Sequence, residues 1–551
     1  MEMLSIISFV GFTLMVALIS WFATRSTDEG SSDGYFLGGR SLTAGVIAGS
    51  LLLTNLSTEQ IVGLNGSSYE NGLSVMAWET LAAIAMVVTA VFLLPRYLKG
   101  GLTTVPQFLA RRFDVTTKTF TSILFLTGYV VVLLPVILYS GSLAISGMFN
   151  VPELLNVTQT QSIWIGVWGI GIIGSIYAVF GGLKAVAVSD TINAIGLLTG
   201  GILIPVFGLM AIGDGSVLEG ISTLTSENPE MFKSMGSKTA PVPFYTIFTG
   251  MMLVQLFYWG TNQQIIQRAL GAKNLKEGQK GLLLGSFIKI LGPLIVVLPG
   301  IIAYNLFEGS LDNPDEAYPM LVAKVLPPSL VGFFAAVLFG AILSSFNSVL
   351  NSSVTLFGID VYKQHINNEA DERTVVKYGK IFGIILAISA MFIAPLIANA
   401  GSLFDYLQEI NGIYSIPILT IIVVGYLTKK VPAIAAKIGI VSGSLLYILS
   451  QFIMQPYFVN KALEKAAALN ITGEDALKLI EAEAYPHYLD VMAILFLLNV
   501  GIMLLIGKLY PRKEAFVQQY TKQVDITPWK YVKQAGLAIC IVVISIYIYF
   551  S

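Results

Sequence analysis

Charge is what this chain has least of. Asp, Glu, Lys and Arg make up 12% of its 551 residues, about half the share of an ordinary soluble domain. So little charge cannot clothe a water-facing surface, and the 55% of hydrophobic residues exceed what one soluble core would absorb. Lipid is the expected solvent. Cysteine occurs once, at Cys540, which excludes a disulfide framework or a cysteine metal site. The two histidines, His365 and His487, stand far apart, so a histidine-held metal is not expected. A net charge of −1 leaves no basic surplus for nucleic acid. The apolar stretch Met1 to Phe22 lacks a basic leader and a small-residue cleavage site, so it is expected to stay as a first helix rather than leave as a signal peptide. No nucleophile–base pair or metal-ligand cluster stands out, which argues against an enzyme.

What the chain does have is long apolar runs, with a mean hydropathy of +0.75. At about 20 residues per crossing they give fourteen candidate spans, hence an all-α, multi-pass integral membrane protein. Basic residues set its orientation. With the N-terminus outside, loops such as Arg96 to Lys118 fall inside, and Lys233, Lys238, Lys324, Lys461, Lys465 and Lys478 alone fall outside. Both termini are then expected on the extracytoplasmic face.

Two spans are interrupted at matching places. The interruption Leu51-Leu52-Leu53-Thr54-Asn55-Leu56-Ser57-Thr58-Glu59-Gln60 sits in the run from about Thr43 to Gly66, and Gln255-Leu256-Phe257-Tyr258-Trp259-Gly260-Thr261-Asn262-Gln263-Gln264 sits in the run that opens near Phe244. Hydrocarbon satisfies no broken backbone, so such interruptions are tolerated only beside a cavity or site. Spans two to six and seven to eleven each hold five crossings and each open with a broken span. Because five is odd, the second set enters from the opposite side. Such inverted repeats belong to leucine-transporter-type carriers. The expected organisation is a leading helix and loop (1–42), a first five-helix repeat (43–213), an outer loop (214–243), a second repeat (244–428) and three further helices (429–551).

Polar residues inside the spans mark the site. Lys289 lies about eight residues, or roughly 12 Å, into its span, where a charge needs a partner or water. Glu79, beside Trp78, is a candidate partner. Ala341, Ser344 and Ser345 share a helical face, and two hydroxyls there suit a hard cation beside the unwound carbonyls near Leu53 and Leu56. The amides Asn55, Gln60, Gln255, Asn262 and Gln408, with the rings of Tyr258 and Trp259, suit a neutral polyhydroxy solute; a dipolar amino acid fits the same chemistry.

Gly34-Tyr35-Phe36-Leu37-Gly38-Gly39-Arg40, Asn55 to Gln60, Tyr177 to Leu183 with its Gly-Gly pair, Tyr258-Trp259, Gln267-Arg268 and Ala341 to Ser345 together resemble the sodium:solute symporter family, on its bacterial sodium/glucose-type branch, nearly end to end. The resemblance implies Na+ as coupling ion, held by the carbonyls of Leu53, Leu56 and Ala341 and the hydroxyls of Ser344 and Ser345, with Asp190 nearby. It implies sugar contacts at Asn55, Gln60, Glu79, Gln255, Tyr258, Trp259, Lys289 and Gln408. Leu64, Trp78 and Phe404 would form the outer gate and Tyr258 the inner one. Departures from galactose-carrying members are Gln255 for asparagine, Ala82 for serine, Trp78 for tyrosine and Leu133 for asparagine. Asn347 stands where members with a second sodium site carry serine, which favours one ion. The implied activity is sodium-coupled uptake of a hexose (glucose, galactose or mannose type) across the bacterial inner membrane, with lipid as surroundings and no obligatory protein partner. The alternatives are a symporter for sialic acid or inositol, or a solute sensor on the same scaffold.

Overall fold

Long apolar runs leave the backbone no partner but itself, and the helix is the structure that satisfies every amide locally. The computed structural model describes residues 3–24, 32–399 and 403–551, the side chains of 3–6, 23–24, 32–33, 178–182, 185, 398–399 and 403–406 excepted. The Gly181-Gly182 pair and the gate residue Phe404 thus lie outside the described side chains. Among the described residues all regular structure is helical, apart from one isolated bridge between Leu42 and Ala272.

Nine helices among the described residues are long and apolar enough to cross a membrane, and a bent pair makes a tenth. Shorter apolar pieces, Ile7–Phe22 and Ala44–Asn55, account for further sequence-derived spans. Small residues let these helices approach closely. Gly196 sits on Val337 and Gly200 on Phe334 of the helix Pro328–Thr355, whereas Gly174 packs on Phe346 of the same helix. A straight helix would separate residues 174 and 200 by about 39 Å, yet their contacts lie only about 18 Å apart along Pro328–Thr355. The helical segment Gln159–Ile212 is thus not one straight rod against that helix.

Proline shapes several spans. Widened π turns at Thr89–Leu93, Tyr129–Leu133 and Leu449–Met454 each end two residues before a proline, at Pro95, Pro135 and Pro456. The ring cannot donate to the preceding turn and crowds its carbonyl, and the wider turn relieves both.

Two expectations need correction. The eighth span, expected as one run over 281–305, is bent by 50° between Leu275–Lys289 and Gly292–Leu306, because Gly292-Pro293 cannot continue the first helix. The connection after 454 is a helical hairpin, Gln455–Ala468 and Glu474–Ala484, which adds two helices to the three expected over 429–551. Its helices carry Lys461, Glu464, Lys465 and Lys478, so hydropathy alone does not register them.

Candidate functional site

Both interruptions read from the sequence are breaks in the backbone. Ala44–Asn55 ends at Leu56, Ser57 is extended (φ −82°, ψ 179°), and Thr58–Asn71 begins anew. Leu56 N–H still bonds to Leu52, but among the described residues no backbone amide reaches the carbonyls of Leu53 or Leu56. In the second break Gly250–Gly260 stops at Thr261, and Asn262 caps Gln263–Leu270 by accepting from Gln264 N–H at 3.2 Å. The bend after Lys289 is a third break on the same buried ground.

The three breaks bring one polar cluster together. Lys289 Nζ lies 2.5 Å from Glu79 Oε2 and also donates to Asn55 Oδ1. Gln60 Nε2 donates to Glu79 Oε1 at 2.7 Å. Gln255 donates to the Trp78 carbonyl at 3.0 Å and accepts from the Trp259 indole at 3.1 Å, and Lys289 Nζ stands 5.8 Å from the centre of the Trp259 ring. Lys289 and Glu79 are 1% and 0% exposed, so the pair is fully desolvated and each charge depends on the other. Gly292 belongs to the design: a Cβ there would collide with the Glu79 carboxylate.

A narrow cavity of about 50 Å³ opens beside this cluster, lined by Asn55, Gln60, Trp78, Gln255, Tyr258 and Gln408 among others. Of the residues expected at the solute, Tyr258 and Gln408 are half-buried and lie on the cavity wall. Leu64, expected at the outer gate, is fully buried, and Trp78 is 5% exposed.

The residues expected at sodium converge on the other side of the first break. Ser345 Oγ donates to the Thr54 carbonyl at 3.2 Å, so Pro328–Thr355 meets the first broken span there. Asp190 Oδ2 accepts from Ser50 at 2.6 Å. Asp190 Oδ1 and Ser344 Oγ have no hydrogen bond of ordinary geometry, although the two groups lie close enough to interact. Orphaned buried oxygens, together with the free carbonyls of Leu53 and Leu56, form a donor set that fits a hard cation. Among the described residues no group of three or more His, Cys, Asp or Glu side chains could hold a metal, so an ion here would rest on hydroxyls and carbonyls.

Other residues at the site carried no sequence assignment. Glu59, in the first turn of Thr58–Asn71, lines the cavity with one carboxylate oxygen unpartnered. Tyr129 donates to Asn262 at 2.5 Å and accepts from Gln264 N–H at 3.2 Å, closing the second break from a neighbouring helix. Asn411 and Tyr414 complete the wall and bond to each other. Toward the basic face, Gln267 donates to the Phe36 carbonyl at 2.8 Å and to Thr355 at 3.0 Å, and accepts from Ser352 at 2.9 Å. Arg268 is buried against Ser50, Ser348 and the Gln264 carbonyl.

Broken helices that meet at a buried polar cluster, in an all-helical chain rich in apolar spans, define a secondary transporter. The chain belongs to the sodium:solute symporter family, whose pattern it matches over residues 35–443. An uncharacterised symporter of Escherichia coli K12, YidK, is 45% identical over 548 residues, covering 99% of this chain and 91% of that protein. The sodium/glucose cotransporter of Vibrio parahaemolyticus is 32% identical over 467 residues, 80% of this chain and 84% of that one. The substrate-bound, outward-open structure of a Na+-coupled sialic acid symporter shares the fold with a TM-score of 0.72 at 18% identity, over 94% of this chain and 99% of that one. The protein is thus a sodium-coupled membrane symporter of leucine-transporter-type architecture, and not an enzyme.

Proposed function

We propose that this symporter takes up a hexose by alternating access, driven by one inward-moving Na+. The observation that carries the reading is the position of Asn55. Its side chain accepts from Lys289 in the solute cluster, while Leu53 and Leu56, two residues before it and one after, present the free carbonyls of the cation site. One break in one helix therefore belongs to both sites. A cation gathering Leu53, Leu56, Ala341, Ser344 and Ser345 would hold the first broken span against Pro328–Thr355. That fixes Asn55 and Gln60 toward the solute, so each ligand favours the state the other binds. Sodium supplies about 2.3 kcal/mol per 100 mV of membrane potential, before its concentration gradient adds to the drive.

The charge of the cluster favours a neutral solute. Glu79 already engages the cluster's one lysine, so an anionic solute such as a sialic acid would bring a negative charge with no free cation to meet it. Hydroxyls find acceptors at Glu59, Glu79, Asn55 and Gln60 and donors at Lys289 and Gln255; ring CH faces find Tyr258 and Trp259. Myo-inositol satisfies the same partners and is the second reading. Both termini lie outside in this scheme, with repeats over 43–213 and 244–428 exchanging access around the breaks. Uptake of labelled glucose, galactose, mannose and inositol into proteoliposomes, with and without a sodium gradient, tests it. Sodium-driven accumulation of a hexose above equilibrium is expected. Accumulation of inositol alone would transfer the assignment to the cyclitol, and no sodium-driven accumulation of any of the four would overturn the reading.

A further inference from the structure

The helices Tyr488–Leu509 and Val532–Tyr549 are joined on the basic face by 22 residues without regular structure, 510–531. Connections beyond about 12–15 residues that form no element of their own are uncommon in compact proteins and are usually functional. Prolines at 511 and 528 break any helix at its two ends. Its backbone amides therefore pair sideways, with the ends of other spans. Arg512 and Phe516 N–H donate to the carbonyls of Lys430 and Lys429 at 2.8 and 2.9 Å, just past the end of Leu403–Leu427. Thr521 N–H donates to Lys99 at 3.1 Å, and Asp525 accepts from Leu275 N–H at 2.9 Å. Trp529 N–H reaches Gln279 Oε1 at 2.8 Å. Side chains add two anchors: Arg512 donates to the Arg112 carbonyl and Gln518 to the Arg96 carbonyl, both at 2.7 Å. The approach is close. A Cβ at Gly101, whose φ is +59°, would collide with the side chains of Gln523 and Thr521.

These anchors flank the place where both broken helices end. Arg40 donates to the carbonyls of Gly101 and Leu270 at 3.3 Å each, so the turn that holds the strap also meets the last residue of Gln263–Leu270. Leu42 N–H donates to Gly271 at 3.1 Å, and Lys273 N–H donates to Leu42 at 3.0 Å. Glu277 accepts from Ala44 N–H at 2.9 Å, at the start of Ala44–Asn55. The two half-helices are thus joined at their basic-side ends, and the strap bonds to both neighbours of that joint, Lys99 and Leu275. Its hold is of a kind that lets go. Water replaces each of these hydrogen bonds on release, so the net cost of breaking one is small. Docking also brings Arg512 against Arg112, two like charges. Of the 22 side chains only Val524 is buried, and segments with so few buried contacts open locally.

We infer that 510–531 is a clasp, which holds the basic face closed while it is bound and releases as the central site opens to that face. The inference rests on alternating access and not on the identity of the solute. Opening on the basic face separates the joint at Leu42 and Gly271 from the spans around it. A strap bonded to Lys99, Leu275 and Lys429 at once resists that movement. Sodium, by favouring the opposite state, keeps the clasp bound.

The test is hydrogen exchange of the purified full chain in lipid nanodiscs, in sodium and in potassium. The amides of Arg512, Phe516, Thr521 and Trp529 should exchange at least fivefold more slowly in sodium, while those of the hairpin helix Gln455–Ala468 do not follow them. In Arg512→Ala with Gln518→Ala, the amides of Leu42 and Lys273, which make no hydrogen bond to the strap, should exchange at least fivefold faster in sodium. Sodium-insensitive exchange across 510–531, with Leu42 and Lys273 still slowed by sodium, would overturn the clasp and leave alternating access standing. Exchange that sodium leaves unchanged at both places would overturn both. Wild-type exchange at Leu42 and Lys273 in the double variant would mean that the strap only covers the joint, and equal slowing of the hairpin would mean general stiffening. Either result overturns the clasp.

Discussion

Lys289 and Glu79 show why a charge inside a membrane protein is informative. Each is fully buried and, among the described residues, each is the other's only counter-charge at hydrogen-bond distance. Removing one partner of a buried pair costs about 3–5 kcal/mol, because the survivor stays buried and uncompensated. Lys289→Ala should therefore lower the melting temperature and abolish solute binding at the central cluster together, whereas Lys289→Ala with Glu79→Gln should recover most of the melting temperature and none of that binding. Scanning fluorimetry and equilibrium binding on the same samples separate the two effects; normal solute affinity in either variant would remove Lys289 from the site. The cation site predicts a different phenotype. Ser345 Oγ reaches across to the Thr54 carbonyl, and its loss would take one neutral ligand from the proposed ion site, leaving the three carbonyls and the Ser344 hydroxyl. Ser345→Ala should raise the sodium concentration for half-maximal uptake about tenfold, while solute binding at saturating sodium changes little. An unchanged sodium dependence would contradict the assignment.

At the scale of the element, the three breaks differ in how far the sequence announced them. The first two replace apolar residues with Asn, Ser, Thr and Gln, and polar side chains in a lipid-facing run stand out. The third does not, because Gly292-Pro293 is flanked by Ile290, Leu291, Leu294 and Ile295, so hydropathy passes over it unbroken. Only the lysine next to it drew notice, as a charge and not as a helix end. The same contrast holds for the site. Asn55, Gln60, Glu79 and Lys289 were legible because lipid penalises them. Tyr129 and Tyr414 were not, since an aromatic residue in a span is indistinguishable from packing until its hydroxyl is seen to reach Asn262 or Asn411. Glu59 was in view beside Gln60, but a carboxylate there gained a role only once the helix start at Thr58 and the cavity wall were known. The helical hairpin escaped for the opposite reason, its charges being ordinary for helices in water. The third break yields its own prediction. A methyl group at Gly292 would overlap the Glu79 carboxylate, so Gly292→Ala should displace it from Lys289 and Gln60. Solute affinity should fall at least tenfold in a protein that still inserts and runs as a single species on size exclusion. Wild-type affinity would show that the bend tolerates the shift and that the carboxylate position is not set by it.

At the scale of the molecule, a cavity of about 750 Å³ lies beside the helical hairpin, and Gln267 ties the segment around Phe36 to Ser352 and Thr355, a seal on the basic side of the central site. Alternating access requires that this seal break when the opposite one forms. Each such hydrogen bond contributes about 0.5–1.5 kcal/mol net, since water replaces it on opening. Removing three should shift the equilibrium toward a state open on the basic face by about 1.5–4.5 kcal/mol, or roughly ten- to two-thousand-fold in population. Cys540 is the only native thiol, so Cys540→Ser with Gln264→Cys places a single probe on the cavity wall. In inside-out vesicles, adding Gln267→Ala should accelerate its reaction with an impermeant maleimide at least fivefold. Sodium should slow that reaction in both variants, because binding at Ser344 and Ser345 favours the opposite state. Equal labelling rates with and without Gln267 would mean that the seal lies elsewhere, with Arg268 and its contacts to Ser50 and Ser348 the next group to remove.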